Sequence, residues 1–299
     1  MKRAAIIIGM LIATSMVSAQ QPAAQGQPAP AGAPQAGGQQ PAPAAPAAKH
    51  QPAAKTQPEF DAFNAAMANA KDPAAMEKAA NDFATKFPDS ELRVLLFKQS
   101  MRSYQAANDG DKMLEMGRGV LNLDADDPEA LVGVAEVLAE RTRDTDLDRN
   151  QRLAESRKLA LRATETVDTD LPLSPTMPPE QVKQAKGYLR STAYFILGTL
   201  DFNAKDYKAA ESDLRKSIAE YPQEPIPEAV FRLAVSLDMQ DNLDEALKVA
   251  NQAVQLSKEG TPVGNAARQE RDRIIARKGG SASVAPKPAN DPNAAPPKQ

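Results

Sequence analysis

The sequence predicts an all-α protein of packed helix hairpins, and three observations carry that expectation. The stretch Ser191 to Pro222 holds two short apolar stripes at helical spacing, Tyr194, Leu197 and Leu200 with Gly198 and Phe202, then Tyr207, Ala210, Leu214, Ile218 and Tyr221. Asn203 to Asp206 favour a turn between them, and Pro222 ends the second helix because it lacks an N–H. Aromatic residues make up only 4% of the 299, with no Cys or Trp, so Ala-packed helices fit better than a β-rich core. Finally, Pro- and Ala-rich stretches at both ends carry too little apolar surface to bury anything.

The hairpin resembles the tetratricopeptide repeat (TPR), whose 34-residue pattern has an aromatic at position 4, Leu-Gly at 7 and 8, an aromatic near 17, Ala at 20 and Pro at 32. Counting from Ser191, those places hold Tyr194, Leu197, Gly198, Tyr207, Ala210 and Pro222. Asp201 stands at position 11, with the aromatic moved to Phe202, and Ser217 replaces the usual Ala at position 27. The resemblance implies a right-handed α-solenoid of TPR-like hairpins. Gly198 and Ala210 mark where the two helices approach closely, and a large side chain there would cost roughly 1–3 kcal/mol.

In chain order, residues 1–19 read as a cleaved secretory signal peptide. Lys2 and Arg3 precede an apolar run from Ala4 to Leu11, and Val17-Ser18-Ala19 forms a small-x-small cleavage site. The run falls short of the roughly 20 apolar residues a membrane span needs, and the lack of Cys rules out a lipoprotein anchor. The expectation is an exported protein, periplasmic or extracellular, with no stable membrane insertion after cleavage. Losing Lys2 and Arg3 takes the formal charge from −3 to −5, which disfavours a nucleic-acid partner. Residues 20–58 form a disordered Pro/Ala/Gln-rich linker, a tether rather than a core, and its lone His50 has no catalytic company.

Residues 59–278 form the TPR-like helical repeat domain, with the strongest repeats at 191–224 and 227–260. A degenerate first unit counts from Gln57, with Phe60 and Phe63 on its first helix and Phe83 and Pro88 closing its second. The second counts from Val94, with Phe97, Tyr104, Met113 and Val120 in key places, and the third opens at Pro128. That unit is stretched by RTRDTDLDRN before a helix from about Gln151 to Val167. Four prolines in DTDLPLSPTMPPEQ then exclude helix until about Pro179. Glu180 to Leu189 either extend the next helix or form a short one of their own. Asn265 to Arg277 read as a capping helix, with Ile274 and Ile275 covering the last hairpin and its charges in water, stopped by Gly279-Gly280. Residues 279–299 read as a second disordered tail.

One local motif suggests chemistry. Asp144, Asp146, Asp148, Asn150 and Glu155 resemble positions 1, 3, 5, 7 and 12 of an EF-hand calcium loop, but Arg149 stands where the turn needs Gly and Gln151 where an apolar residue packs. The plainer reading is a solvated acidic loop that caps the next helix, so calcium is only a weak candidate and no cofactor is expected. Nucleophile–base pairs, phosphate loops and nitrogen or sulfur zinc ligands are missing, and the acids fall at helical spacing on solvent faces. The chain is therefore expected not to be an enzyme.

The resemblance implies a concave groove lined by the first helix of each repeat, which in the family binds peptides or helices. Groove positions fall at Lys98, Arg102 and Gln105, at Phe195, Thr199 and Phe202, and at Phe231, Val235 and Asp238. Apolar Phe195, Phe202 and Phe231 suit an amphipathic helix, and they equally suit contact with neighbouring helices. Arg268, Arg271, Arg273 and Arg277 alternate with acids and read as a solvated face. The expected function is a non-catalytic protein–protein interaction scaffold of the cell envelope with a protein or peptide partner. A self-associating assembly factor and an enzyme of unfamiliar type are the alternatives.

Overall fold

The computed structural model describes residues 50–172 and 176–282. The expected signal peptide at 1–19, most of the linker and the tail beyond Ala282 lie outside the described residues. Among the described residues all regular structure is helical: α1 (Gln57–Met67), α2 (Pro73–Lys86), α3 (Arg93–Ala106), α4 (Gly110–Leu123), α5 (Pro128–Arg141), α6 (Arg149–Thr166), α7 (Pro179–Asn203), α8 (Tyr207–Glu220), α9 (Pro227–Asp238), α10 (Leu243–Leu256) and α11 (Pro262–Ala282).

Local chemistry sets most of these boundaries. Pro sits in the first turn of α1, α2, α5, α7 and α9, where its missing N–H costs nothing. Asp72, Asp109, Asp127 and Asp206 each accept a hydrogen bond from an N–H of the following helix, at 2.9–3.1 Å, and so cap α2, α4, α5 and α8. The tight turns α3–α4, α7–α8 and α9–α10 share one device. Asn108, Lys205 and Asp241 adopt left-handed backbone with φ of 58°, 62° and 59°. The N–H of the next residue then reaches back to a helix carbonyl at 3.0 Å, from Asp109 to Tyr104, Asp206 to Asp201 and Asn242 to Leu237.

Consecutive helices pack as antiparallel hairpins, and hairpins stack side by side. Beyond these neighbours, α1 touches α3, α5 touches α7, α7 touches α9 and α9 touches α11. Odd-numbered helices thus approach one another and form the inner layer of the solenoid, with even-numbered helices outside. This explains why α5 and α7 are buried on nearly every side along Pro128–Leu138 and Ser191–Asp201 rather than on one stripe. The core is segmented to match. Separate apolar clusters centre on Met76 and Leu96, on Met101 and Val120, on Leu131 and Leu197, and on Leu214 and Leu237. Outer helices are also tied by ion pairs, Lys112 to Glu77 at 2.8 Å, Arg118 to Glu155 at 3.0 Å and Arg215 to Glu245 at 2.7 Å.

Close approach at Gly198 is as expected: a Cβ there would lie 2.8 Å from Leu214 Cγ, and Ala210 is fully buried on the facing helix. Of the two alternatives for Glu180 to Leu189, the structure takes the first: they extend α7 into one 25-residue helix. The extension holds because Gly187 lets the backbone pass the Glu220 carbonyl, where a Cβ would sit at 2.6 Å, and Tyr188 meets Tyr221 edge-on at 5.9 Å. Other expectations need correction. Helix α1 starts at Gln57, capped by Thr56, ahead of the expected boundary at 59. Gly279-Gly280 do not stop α11, which runs on to Ala282 beyond the expected end of the domain at 278. Ile274 is buried, but its neighbour Ile275 is half exposed, because consecutive helical residues point about 100° apart.

Candidate functional site: the inner face

The candidate groove residues lie on the inner layer, and their side chains are more committed within the chain than their spacing suggests. On α3, Lys98 is buried and pairs with Asp127, the buried N-cap of α5. One turn on, the Arg102 guanidinium grips Glu129 in a two-pronged ion pair, with Nη2 to Oε2 at 2.6 Å. Burial pushes the Asp127 carboxyl up despite Lys98 beside it. Burial also opposes the charge on Glu129, yet Arg102 holds that carboxyl below the ordinary range. These residues fasten the second unit to the third, and Gln105 alone of its set is exposed.

Between α7 and α9 the governing residue is Arg232, which sequence spacing did not single out. Its guanidinium lies over the Phe195 ring at 5.2 Å and the Phe202 ring at 5.9 Å, and it donates to Thr199 Oγ1. Phe195 is consequently buried under Arg232 and Val235 is nearly so, whereas Phe202, Phe231 and Thr199 stay half-buried and Met239 is 47% exposed. The structure therefore brings Phe195, Thr199 and Phe202 together under one arginine, with Phe231 and Val235 on the same helix as that arginine. It leaves Lys98 and Arg102 in a separate charged cluster.

The expectation that acids fall on solvent faces is corrected at Glu59, Asp127, Asp201, Asp238 and Glu270, all of them buried. Glu59 accepts hydrogen bonds from Ser90 Oγ and, at 2.7 Å, from Lys55 N, so residues ahead of α1 are drawn onto the α2–α3 turn. Asp201 pairs with Arg157 on α6. Asp238 is fully buried between Arg273 and Arg277, so these two arginines are latches and not a solvated face. The pairs Glu59–Ser90, Arg157–Asp201 and Asp238–Arg277 span 31 to 44 residues, and only folding reveals them.

The acidic motif between α5 and α6 does not gather. Asp144 pairs with Arg149 at 3.0 Å, Asp146 accepts from the Arg143 N–H at 2.8 Å, and Glu155 holds Arg118. Asp148 precedes α6 but makes no side-chain cap, contrary to the capping role expected for this loop, and Asn150 lies beside Arg149. Among the described residues no three His, Cys, Asp or Glu side chains are grouped so as to hold a metal ion. A cleft of about 550 Å³ opens beside the loop, lined by Asp111, Arg141, Arg143, Asp146, Asp148 and Arg152. Its walls mix both signs of charge.

No family model matches the sequence, and no curated protein matches it. Among solved structures the chain is similar to the MamA protein, at 15% identity over 66% of this chain and 89% of that one, TM-score 0.46. It is also similar to PilW, a type IV pilus biogenesis factor, at 20% identity over 77% and 96%, TM-score 0.44. A thermophilic TPR protein of Thermus thermophilus matches at 14% identity over 73% and 97%, TM-score 0.41.

Proposed function

We propose that this chain is an exported, non-catalytic interaction scaffold of TPR type, and that its inner face at α7 and α9 holds a peptide or helix of a protein partner. The observation that carries the reading is the strip of half-buried Thr199, Phe202 and Phe231 with exposed Met239 beside Arg232. Aromatic and Met surface of this kind suits an apolar peptide or helix segment. Lys98 and Arg102, engaged by Asp127 and Glu129, tie α3 to α5 instead of contacting a partner. The leader at 1–19 supports export, and no helix of the described residues is long and apolar enough to cross a membrane.

The test is affinity capture from an envelope extract with the mature chain beside a Phe202→Ser/Phe231→Ser variant of unchanged circular dichroism. A partner retained by the first and lost by the second is the expected result. Identical partners from both, with recovery abolished by deleting residues 20–49, would place binding in the linker and end the proposal.

A further inference from the structure

The C-terminal helix α11 occupies the place that the first helix of a further repeat would take, against α9 and α10. Its hold there is unusual. Among its described side chains only Ala267 and Ile274 are fully buried apolar groups, with Val263 half-buried and Ile275 exposed. Charge does the remainder. Arg273 and Arg277 enclose Asp238, whose side chain is 0% exposed, and Arg277 also donates to the Asp238 carbonyl at 2.9 Å. Arg277 reaches Asp241 and Lys278 reaches Asp244, so three acids at the α9–α10 turn are matched by three cations on one end of α11. The contact of Arg273 with Asp238 Oδ2 is an ion pair without hydrogen-bond alignment, which leaves that buried oxygen short of a donor.

We infer that the α9–α10 end face is a second docking site, for a basic amphipathic helix, and that α11 is its displaceable resident. The occupant is defined by complementarity. It carries arginines one turn apart to reach Asp238, a further cation for Asp244, and a narrow stripe of small or branched apolar residues to replace Ala267 and Ile274. The connector Ser257 to Thr261 leaves α10 through Gly260 at φ 77°, which Gly adopts without strain, and Thr261 Oγ1 caps the start of α11 by accepting from Gly264 N at 3.2 Å. Being tethered, α11 competes at high effective concentration, so a helix in trans enters only when the clip of charges is loosened. This face is distinct from the α7–α9 strip, and its occupancy is read without any inner-face partner.

The experiment uses a fluorescent peptide of residues 262–282 titrated into the full chain, followed by anisotropy, with hydrogen exchange reporting on α11. Wild type is expected to bind the peptide at least tenfold more weakly than Arg273→Ala/Arg277→Ala, in which α11 exchanges faster while α9 and α10 stay protected. A peptide carrying Glu at both arginine positions is expected not to bind. If the double variant loses helix elsewhere, Lys278→Glu, which touches only the exposed Asp244 pair, takes its place. Unchanged α11 protection in the variants would show that charge is not the clip. A released α11 with no peptide binding would show that the vacated face takes no helix. Either result overturns the inference.

Discussion

The α7–α8 hairpin and the α5–α6 hairpin solve the same problem in different ways. In the first, two helices meet through a tight turn in which Lys205 accepts a left-handed backbone, and Gly198 lets Leu214 sink against α7. In the second, the loop 142–148 spans the turn, Leu147 stands fully in solvent, and α6 is seated mainly by Ser156, Ala160 and Ala163. A long connector also follows α6. The contrast teaches that stacking specificity resides in helix–helix packing, whereas turn length is tolerated wherever both ends of an outer helix can be reached.

The sharpest way to break the contrast is at its packed side. Leu214→Ala is expected to destabilise the chain by about 2–5 kcal/mol, because a fully buried side chain leaves a cavity between α7 and α8. The same change at half-buried Leu153 on α6 is expected to cost only about 1–2 kcal/mol. Chemical denaturation of both variants decides it, and equal losses would erase the distinction between the hairpins.

Acid gives a second, smaller handle. Glu77 is held below its ordinary 4.5 by hydrogen bonds from Lys112 and Tyr104, and Glu245 by Arg215. Asp244 is held below 3.8 by Lys278. For carboxylates depressed in the folded state, the stabilisation is present above the unfolded value and lost as pH falls through the folded one. Melting temperature is therefore expected to hold near neutrality and to drop below about pH 4.5, with faster hydrogen exchange in α4 and α10. Alkali acts through Tyr104, whose hydroxyl donates to Glu77 and is pushed up to about 12. Its contribution is full below about 10 and declines from there toward 12.

Turn chemistry sharpens the comparison further. Lys205→Gly is expected to stabilise the chain by about 1 kcal/mol, since a residue with a Cβ is strained in the left-handed region. Thr145→Gly in the long loop is expected to do nothing of the kind. Smallest of all, inserting two glycines after Leu147 should cost less than about 0.6 kcal/mol, the entropy of closing a slightly longer loop. A loss of several kcal/mol there would mean that the loop holds α6 in place. Thermal melts of the three variants beside wild type read all of these differences.

Much of the architecture was legible in local signals. Pro128, Pro179 and Pro227 open helices, Asp109 and Asp206 cap them, and the Gly198–Ala210 contact follows from small residues at repeat spacing. The inner face was not. Arg232 reaches back to Thr199 and two rings of the previous hairpin, and Lys98 is neutralised by Asp127, 29 residues away. Such pairs join different units, and long side chains choose partners only after the hairpins have stacked. Helix α11 crosses Gly279-Gly280 although glycine disfavours helix, a continuation that no packing contact at Gly279 explains.

The segmented core has a mechanical consequence. Each apolar cluster serves one hairpin and its immediate neighbours, so a pulling force applied at the two ends finds no element that ties the whole solenoid together. The chain yields hairpin by hairpin, each of roughly 34 residues releasing on the order of 110 Å of slack. Held at both ends, such a protein behaves as an extensible spring whose links re-form one at a time when the load is removed.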